Sequence, residues 1–277
     1  MPINFQEISN NIKAAQFNKD IGQNFLINES LSSKIVSILN VKKDDIVFEG
    51  GSGFGSLSFF LLKKKYKKLV LNDIDNKVIL FLKKHFLLNK NTKIIRQSFL
   101  NIDISKYTKI ISSLPYYITS KSLEYFLING HNVKKYVFLV QRDVLERLNS
   151  GVGTKNYGPL SIIIKNISIL RKELIVSKNN FFPKPHIQSA VFSLTTKKND
   201  IFDKKQYFSF LKKIFLHRRK TLYKNLMLYI QNKQKILDIL HKLKISILLR
   251  PEQVDEKKYL KIFKTINNND FKSKCKN

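Results

Sequence analysis

Between residues 29 and 197 short runs rich in β-branched residues alternate with stretches whose apolar residues recur every three or four positions, and after residue 198 the alternation stops. Strands separated by amphipathic helices build a mostly parallel sheet with helices on its faces. Candidate strands are 46–50, 68–73, 93–96, 109–114 and 135–141, with helical patterns at 55–64, 76–88 and 119–129. A helix near 158–168 leads to two last strands, 169–176 and 189–196, expected as an antiparallel pair at the sheet edge. Segments 204–217, 219–230, 233–243 and 255–266 have helical spacing and no strand between them. The expected architecture is an N-terminal arm over 1–20, a Rossmann-like α/β domain over 21–197, a small all-helical domain over 198–266 and a disordered tail over 267–277.

Charge narrows the partners. The chain has 51 Lys and Arg against 20 Asp and Glu, a formal net charge of +31, which concentrates polyanions around it. Residues 197–277 hold 22 of those cations against 7 acids, about twice the basic density of the rest, so the helical domain is the expected nucleic-acid surface. No apolar run approaches the roughly 20 residues that span a bilayer, and Asn, Gln and Glu interrupt residues 1–20 where a signal peptide would be apolar. A cytoplasmic monomer that avoids membranes is expected. Cys275 is the single cysteine and the five histidines are scattered, so neither a disulfide within the chain nor a zinc site is expected.

The clearest local chemistry is Glu49-Gly50-Gly51-Ser52-Gly53-Phe54-Gly55, after a strand and before a helix. Glycines such as Gly51 and Gly53 allow positive φ and close approach of backbone to a ligand, which suits a dinucleotide or the amino-acid end of S-adenosylmethionine. Asp73 and Asp75 close the next strand about 20 residues on. Asp73 is assigned to ribose hydroxyls and Asp75 to capping the following helix. NAD and S-adenosylmethionine both fit to this point.

Ser113-Leu114-Pro115-Tyr116, at the carboxyl end of the fourth strand, separates them. An adenine amino group is a poor nucleophile because its lone pair is delocalised into the ring. Using it requires acceptors for its hydrogens, alignment of the lone pair and a stacked base. The Ser113 hydroxyl, the Leu114 carbonyl fixed by Pro115 and the Tyr116 ring meet those needs within four residues, and hydride transfer has no use for them.

This corner, IGQNFLIN (21–28) and NNFFPKPHIQSAVFSL (179–194) together resemble the small-subunit ribosomal RNA adenine dimethyltransferase family. The similarity runs from about 21 to 265 and includes QRDVLER (141–147), KNYGPLSIII (155–164) and HRRKTLYKNL (217–226). It implies S-adenosylmethionine as cofactor and dimethylation of two adjacent adenosines near the 3′ end of small-subunit ribosomal RNA. Asn24, Leu26 and Gly51 are then expected around the methionine part, and Phe181 on the face of the flipped base opposite Tyr116. Arg218, Arg219, Lys220 and Lys224 are expected on RNA phosphates. Asp73 stands where Glu is usual but keeps the acceptor, and two further departures bear on the chemistry: Ser98 stands where Asp usually holds the adenine amino group of the cofactor, and Ser113 stands where Asn is usual. Those departures motivate an alternative, a ribosome-assembly or nucleic-acid-binding factor that keeps the fold with weakened chemistry.

Overall fold

A computed structural model describes residues 3–15, 24–86, 90–198 and 203–274. The first residues of the 21–28 box and Cys275 lie outside them. The chain divides into two compact units, Met1–Leu145 with Ile169–Thr196, and Glu146–Ser168 with Lys197–Asn277.

In the first unit the helices are α1 (Phe5–Ala14), α2 (Glu29–Leu39), α3 (Ser58–Leu61), α4 (Asn76–Phe86) and α5 (Thr119–Asn129). The strands are β1 (Phe25–Leu26), β2 (Ile46–Gly50), β3 (Lys68–Asp73), β4 (Thr92–Arg96), β5 (Lys109–Ser113), β6 (Lys135–Gln141), β7 (Ser168–Val176), β8 (Phe181–Phe182) and β9 (Ser189–Thr196). Seven of them form one sheet in the order β4-β3-β2-β5-β6-β9-β7, and β1 pairs with β8 apart from it. The β2–β3, β2–β5, β3–β4 and β5–β6 pairs are parallel, and β9 runs antiparallel to β6. Because β2 lies between β3 and β5, the strand order reverses at its flanks, and open sheets of this kind bind ligands at the carboxyl ends there.

One face of the sheet packs Val47, Leu69, Leu71, Ile111, Val137, Leu139 and Val191 against α1, α2, α3 and α4. On the other, the Phe126 ring of α5 meets Phe48, Phe99 and Phe138 at 5.2–6.4 Å. The expected strands fall within a residue of their observed bounds, but four expectations change, three of them here. Part of the 1–20 arm is a docked helix: Asn4 and Glu7 form a reciprocal cap, and Phe5, Ile8 and Ile12 are buried in the main core, which offsets the cost of ordering a terminus. The helix expected over 55–64 is a single turn, because Gly55 takes φ +87° and delays the first helical residue. The 267–277 tail is helical as far as Lys274. No Pro or Gly interrupts it, and propagating an existing helix through Asn costs little per residue.

The second unit holds α7 (Pro159–Ile167), α8 (Lys204–Ile214), α9 (Leu222–Ile230), α10 (Lys233–Lys242) and α11 (Glu256–Lys274); α6 (Arg142–Leu148) straddles the two sequence ranges. The expected domain boundary at 198 therefore misses a segment, since 146–168 joins the helical unit. The reason is burial. Ile162, Ile163, Ile164 and Ile167 of α7 are all under 3% exposed, and Asn166 Nδ2 donates to Tyr207 Oη (2.8 Å) and to the Glu256 carbonyl (3.0 Å). No helix among the described residues is long and apolar enough to cross a membrane, and none of their His, Cys, Asp and Glu side chains form a metal-holding cluster.

Candidate active site

All eleven residues singled out for cofactor and catalytic roles line one cleft of about 370 Å³, at the carboxyl ends of β2, β3 and β5. Its floor is built by register: Gly50 pairs with Ser112 and Asn72, so the glycine bend and the Ser113 corner are neighbours. A Cβ on Gly51, where φ is +69°, would sit 3.6 Å from the Ser113 carbonyl oxygen. Gly53, at φ +53°, has the Phe25 ring 2.8 Å from where its Cβ would be. Both positions need glycine for conformation, and Gly53 also for space.

Asp73 ties this bend to the end of β3. Its Oδ2 accepts from Gly53 N–H (2.9 Å) and its Oδ1 from Ile74 and Asp75 N–H (2.7 and 3.0 Å). A carboxylate has about four acceptor sites, which leaves capacity for a ribose hydroxyl. Asp75 Oδ1 accepts from Lys77 N–H (2.8 Å), the capping expected of it. Burial raises the Asp73 pKa, against three backbone hydrogen bonds that lower it. Glu49, also lining the cleft, is 1% exposed and is pushed up to about 8 by burial, with Asp73 adding to the rise. Burial thus disfavours the charged form of both carboxyls.

The serines divide by what their hydroxyls do. Ser112 Oγ donates to the Gly50 carbonyl (2.6 Å), Ser56 Oγ to the Leu26 carbonyl (2.6 Å), Ser58 Oγ to Glu49 Oε2 (2.5 Å), and Ser52 Oγ to the Glu49 carbonyl (3.4 Å). The hydroxyls of Ser113 and Ser98 make no hydrogen bond among the described residues, and both residues line the cleft. Leu114 N–H is fixed on the Leu139 carbonyl (3.0 Å), and the Pro115 carbonyl accepts from Thr119 Oγ1 (2.9 Å) and Ile118 N–H (3.2 Å). The half-buried Tyr116 ring is anchored by its hydroxyl to Ser189 Oγ (3.1 Å), and burial raises its pKa.

The two outer boxes meet here. Phe25 pairs with Phe182 and Leu26 with Phe181, while Ile27 N–H donates to the Asn180 carbonyl (2.9 Å). Asn28 Nδ2 adds a bond to Asn180 Oδ1 (2.9 Å). Leu26 and Phe181 line the cleft from this clasp, Phe181 being 4% exposed and part of the main core. Asn24 lines the cleft too.

Residues 14–268 match the family described as "Ribosomal RNA adenine dimethylase". The chain belongs to the ribosomal RNA adenine dimethylase family. Among curated relatives of this family, "Ribosomal RNA small subunit methyltransferase A" of Mycoplasma capricolum subsp. capricolum is 39% identical over 264 residues, covering 91% of this chain and 98% of that protein. The protein of the same name from Malacoplasma penetrans is 38% identical over 250 residues, covering 88% and 90%. A solved dimethyladenosine transferase from Plasmodium falciparum superposes with TM-score 0.76 at 26% identity, covering 88% of this chain and 98% of that one. As in the ribosomal RNA adenine dimethylase family at large, S-adenosylmethionine is the methyl donor, and the cleft offers it a glycine bend open to close backbone approach and, at Asp73, a carboxyl with acceptor capacity to spare.

The sequence did not single out Glu49 for its raised pKa, Ser189 as the Tyr116 anchor, or Tyr117, which lines the cleft rim at 61% exposure. Tyr117 was legible as the second aromatic of the corner; Ser189 carried no local signal. In the second unit Arg218 Nη1 donates to the Lys155 carbonyl (2.8 Å), and Arg219, Lys220 and Lys224 are exposed. None of these four lines the cleft. Their loop is held by the buried Asn225, whose Nδ2 donates to the carbonyls of His217 (3.1 Å) and Thr221 (3.0 Å), with Lys220 at 3.5 Å.

Proposed function

We propose that the protein dimethylates N6 of two adjacent adenosines near the 3′ end of small-subunit ribosomal RNA, in the cytoplasm, as a monomer acting on the assembling small subunit. The observation that carries this reading is the Ser113 hydroxyl, unengaged among the described residues and lining the cleft, on a residue whose carbonyl faces the Gly51 bend, while its neighbour Ser112 is bonded within the sheet. S-adenosylmethionine supplies an electrophilic methyl on sulfur when bound. Asn24, Leu26, Gly51 and Gly53 hold its amino-acid end, Asp73 its ribose, and Ser98 is the acceptor for its adenine amino group. Ser113 Oγ and the Leu114 carbonyl accept the two hydrogens of the target amine and turn its lone pair toward the methyl. Tyr116 and Phe181 clamp the flipped base from its two faces. Methyl transfer from sulfur to that nitrogen would leave S-adenosylhomocysteine and release the amine proton to water. Arg219, Lys220 and Lys224, with Arg218 bracing their loop, hold phosphates and supply register and affinity.

The relatives' name, which specifies the small ribosomal subunit, supports the choice of RNA. Labelled methyl transfer to unmethylated small subunits, read by mass spectrometry of the RNA, tests it. Two dimethylated adenosines near the 3′ end are expected. Tight RNA binding with no transfer at saturating cofactor would return the protein to an assembly role without chemistry, the reading that Ser98 and Ser113 motivate.

A further inference from the structure

The opposite end of the sheet carries charge for which methyl transfer has no use. β2, β3, β5 and β6 begin there, and their register sets Lys68 beside Ile46, Lys109 beside Val47, and Lys135 beside Lys109. With strands spaced about 4.8 Å apart, this row of lysine backbones spans roughly 14 Å. Lys134 joins through its N–H on the Thr108 carbonyl (2.8 Å), and Lys42 through its N–H on Asp45 Oδ2 (2.8 Å). Like charges directly opposed on neighbouring strands destabilise a sheet. Here Lys109 is 8% exposed, its ammonium against the Leu39 carbonyl (3.3 Å). Burial first, then Lys135, Lys134 and Lys42, hold that ammonium below its ordinary range, while Asp45 pulls the other way.

Asp45 is the buried carboxylate among them, and its atoms are engaged in building the rim. Oδ1 accepts from the Thr108 hydroxyl (2.7 Å), Oδ2 from Lys42 N–H, and its carbonyl from Lys67 and Lys68 N–H (2.9 and 3.3 Å). The result is an edge of cations around one buried carboxylate, with Asp44 exposed in the same turn. Lys42, Lys43, Lys67, Lys68 and Lys134 are exposed and Lys135 is half-buried. The rim has none of the large exposed apolar side chains that would insert into a lipid surface. Ammonium groups without planar or stacking partners bind phosphate as point charges rather than reading bases.

We propose that this amino-end rim, Lys42, Lys68, Lys134 and Lys135 around Lys109, is a second contact for the phosphate backbone of the substrate RNA, separate from the basic loop at Arg219. It rests on the ribosomal RNA reading above. The test uses the full chain with Lys42→Glu, Lys134→Glu and Lys135→Glu combined, leaving the buried Lys109 in place. Dissociation constants for small-subunit RNA are measured across a salt series. The slope of log affinity against log salt should become shallower by about two to three, with affinity at low salt reduced about tenfold or more. Binding of S-adenosylmethionine should be unchanged, and the triple Lys→Arg variant should keep the wild-type slope. Wild-type slope and affinity in the Glu variant would overturn the proposal, as would an Arg variant as impaired as the Glu one. Loss of binding to phosphatidylserine vesicles with RNA binding intact would reassign the rim to lipid. A wild-type chain that binds RNA without methylating it would refute the catalytic reading and leave this slope comparison standing.

Discussion

Glu49→Gln isolates the electrostatics of the cleft. Glu49 is 1% exposed, accepts from the Ser58 hydroxyl at 2.5 Å and has a pKa raised from 4.5 to about 8, chiefly by burial. Between those values the folded chain keeps a proton that the unfolded chain has released. Its contribution to stability is therefore complete below pH 4.5 and lost as pH rises toward 8. At about 1.4 kcal/mol per pH unit, the loss between pH 6 and 8 has an upper limit of about 3 kcal/mol. Gln keeps an acceptor for Ser58 and cannot ionise. With about 2–4 °C per kcal/mol for a domain of this size, the melting temperature of the variant should gain on the wild type between pH 6 and pH 8, by at most about 6–12 °C. Thermal unfolding of both proteins by circular dichroism at pH 6, 7 and 8 measures it. Two curves that stay parallel across that range would refute a neutral, buried Glu49.

Ser113→Ala should lower kcat about a hundredfold or more, the 2.7–4 kcal/mol typical of one aligned group, whereas Ser113→Asn should keep or raise it; equal rates for Ala and wild type in single-turnover methyl transfer would remove the hydroxyl from the chemistry. Gly53→Ala brings a Cβ to 2.8 Å from the Phe25 ring at φ +53°, a strain of about 1–3 kcal/mol, so calorimetry should show weakened S-adenosylmethionine binding. Asn225→Ala removes the side-chain donor that ties the carbonyls of His217 and Thr221 together, leaving each with its backbone N–H partner alone, at about 0.5–1.5 kcal/mol per bond lost. Amide exchange over 217–221 should quicken and RNA affinity fall, with cofactor affinity unchanged.

Local patterning made the strands legible, because β-branched runs such as 46–50 and 135–141 end at residues that cannot continue them. The cleft was legible where chemistry and spacing coincide, at Gly51, Asp73 and Ser113. Long-range relations were not. Nothing in IGQNFLIN says that Leu26 pairs with Phe181, and the α7 pattern is equally compatible with covering the sheet or joining the helical unit, as it does. The docking of α1 had a signal, Phe5, Ile8 and Ile12 on one helical face, but polar neighbours masked it. Asn225 reads as one more polar helix residue until its three carbonyl partners are known.

The β1–β8 clasp bears on how the protein comes into being. Residue 26 leaves the translating ribosome long before residue 181 exists, and at about 5–20 residues per second the wait is on the order of 10–30 s. Once β3 and β5 have followed, the glycine bend can form while one wall of the cleft is still missing. A nascent chain, or a product truncated before Phe181, therefore lacks one wall of the cleft, and the finished cleft arrives late in synthesis.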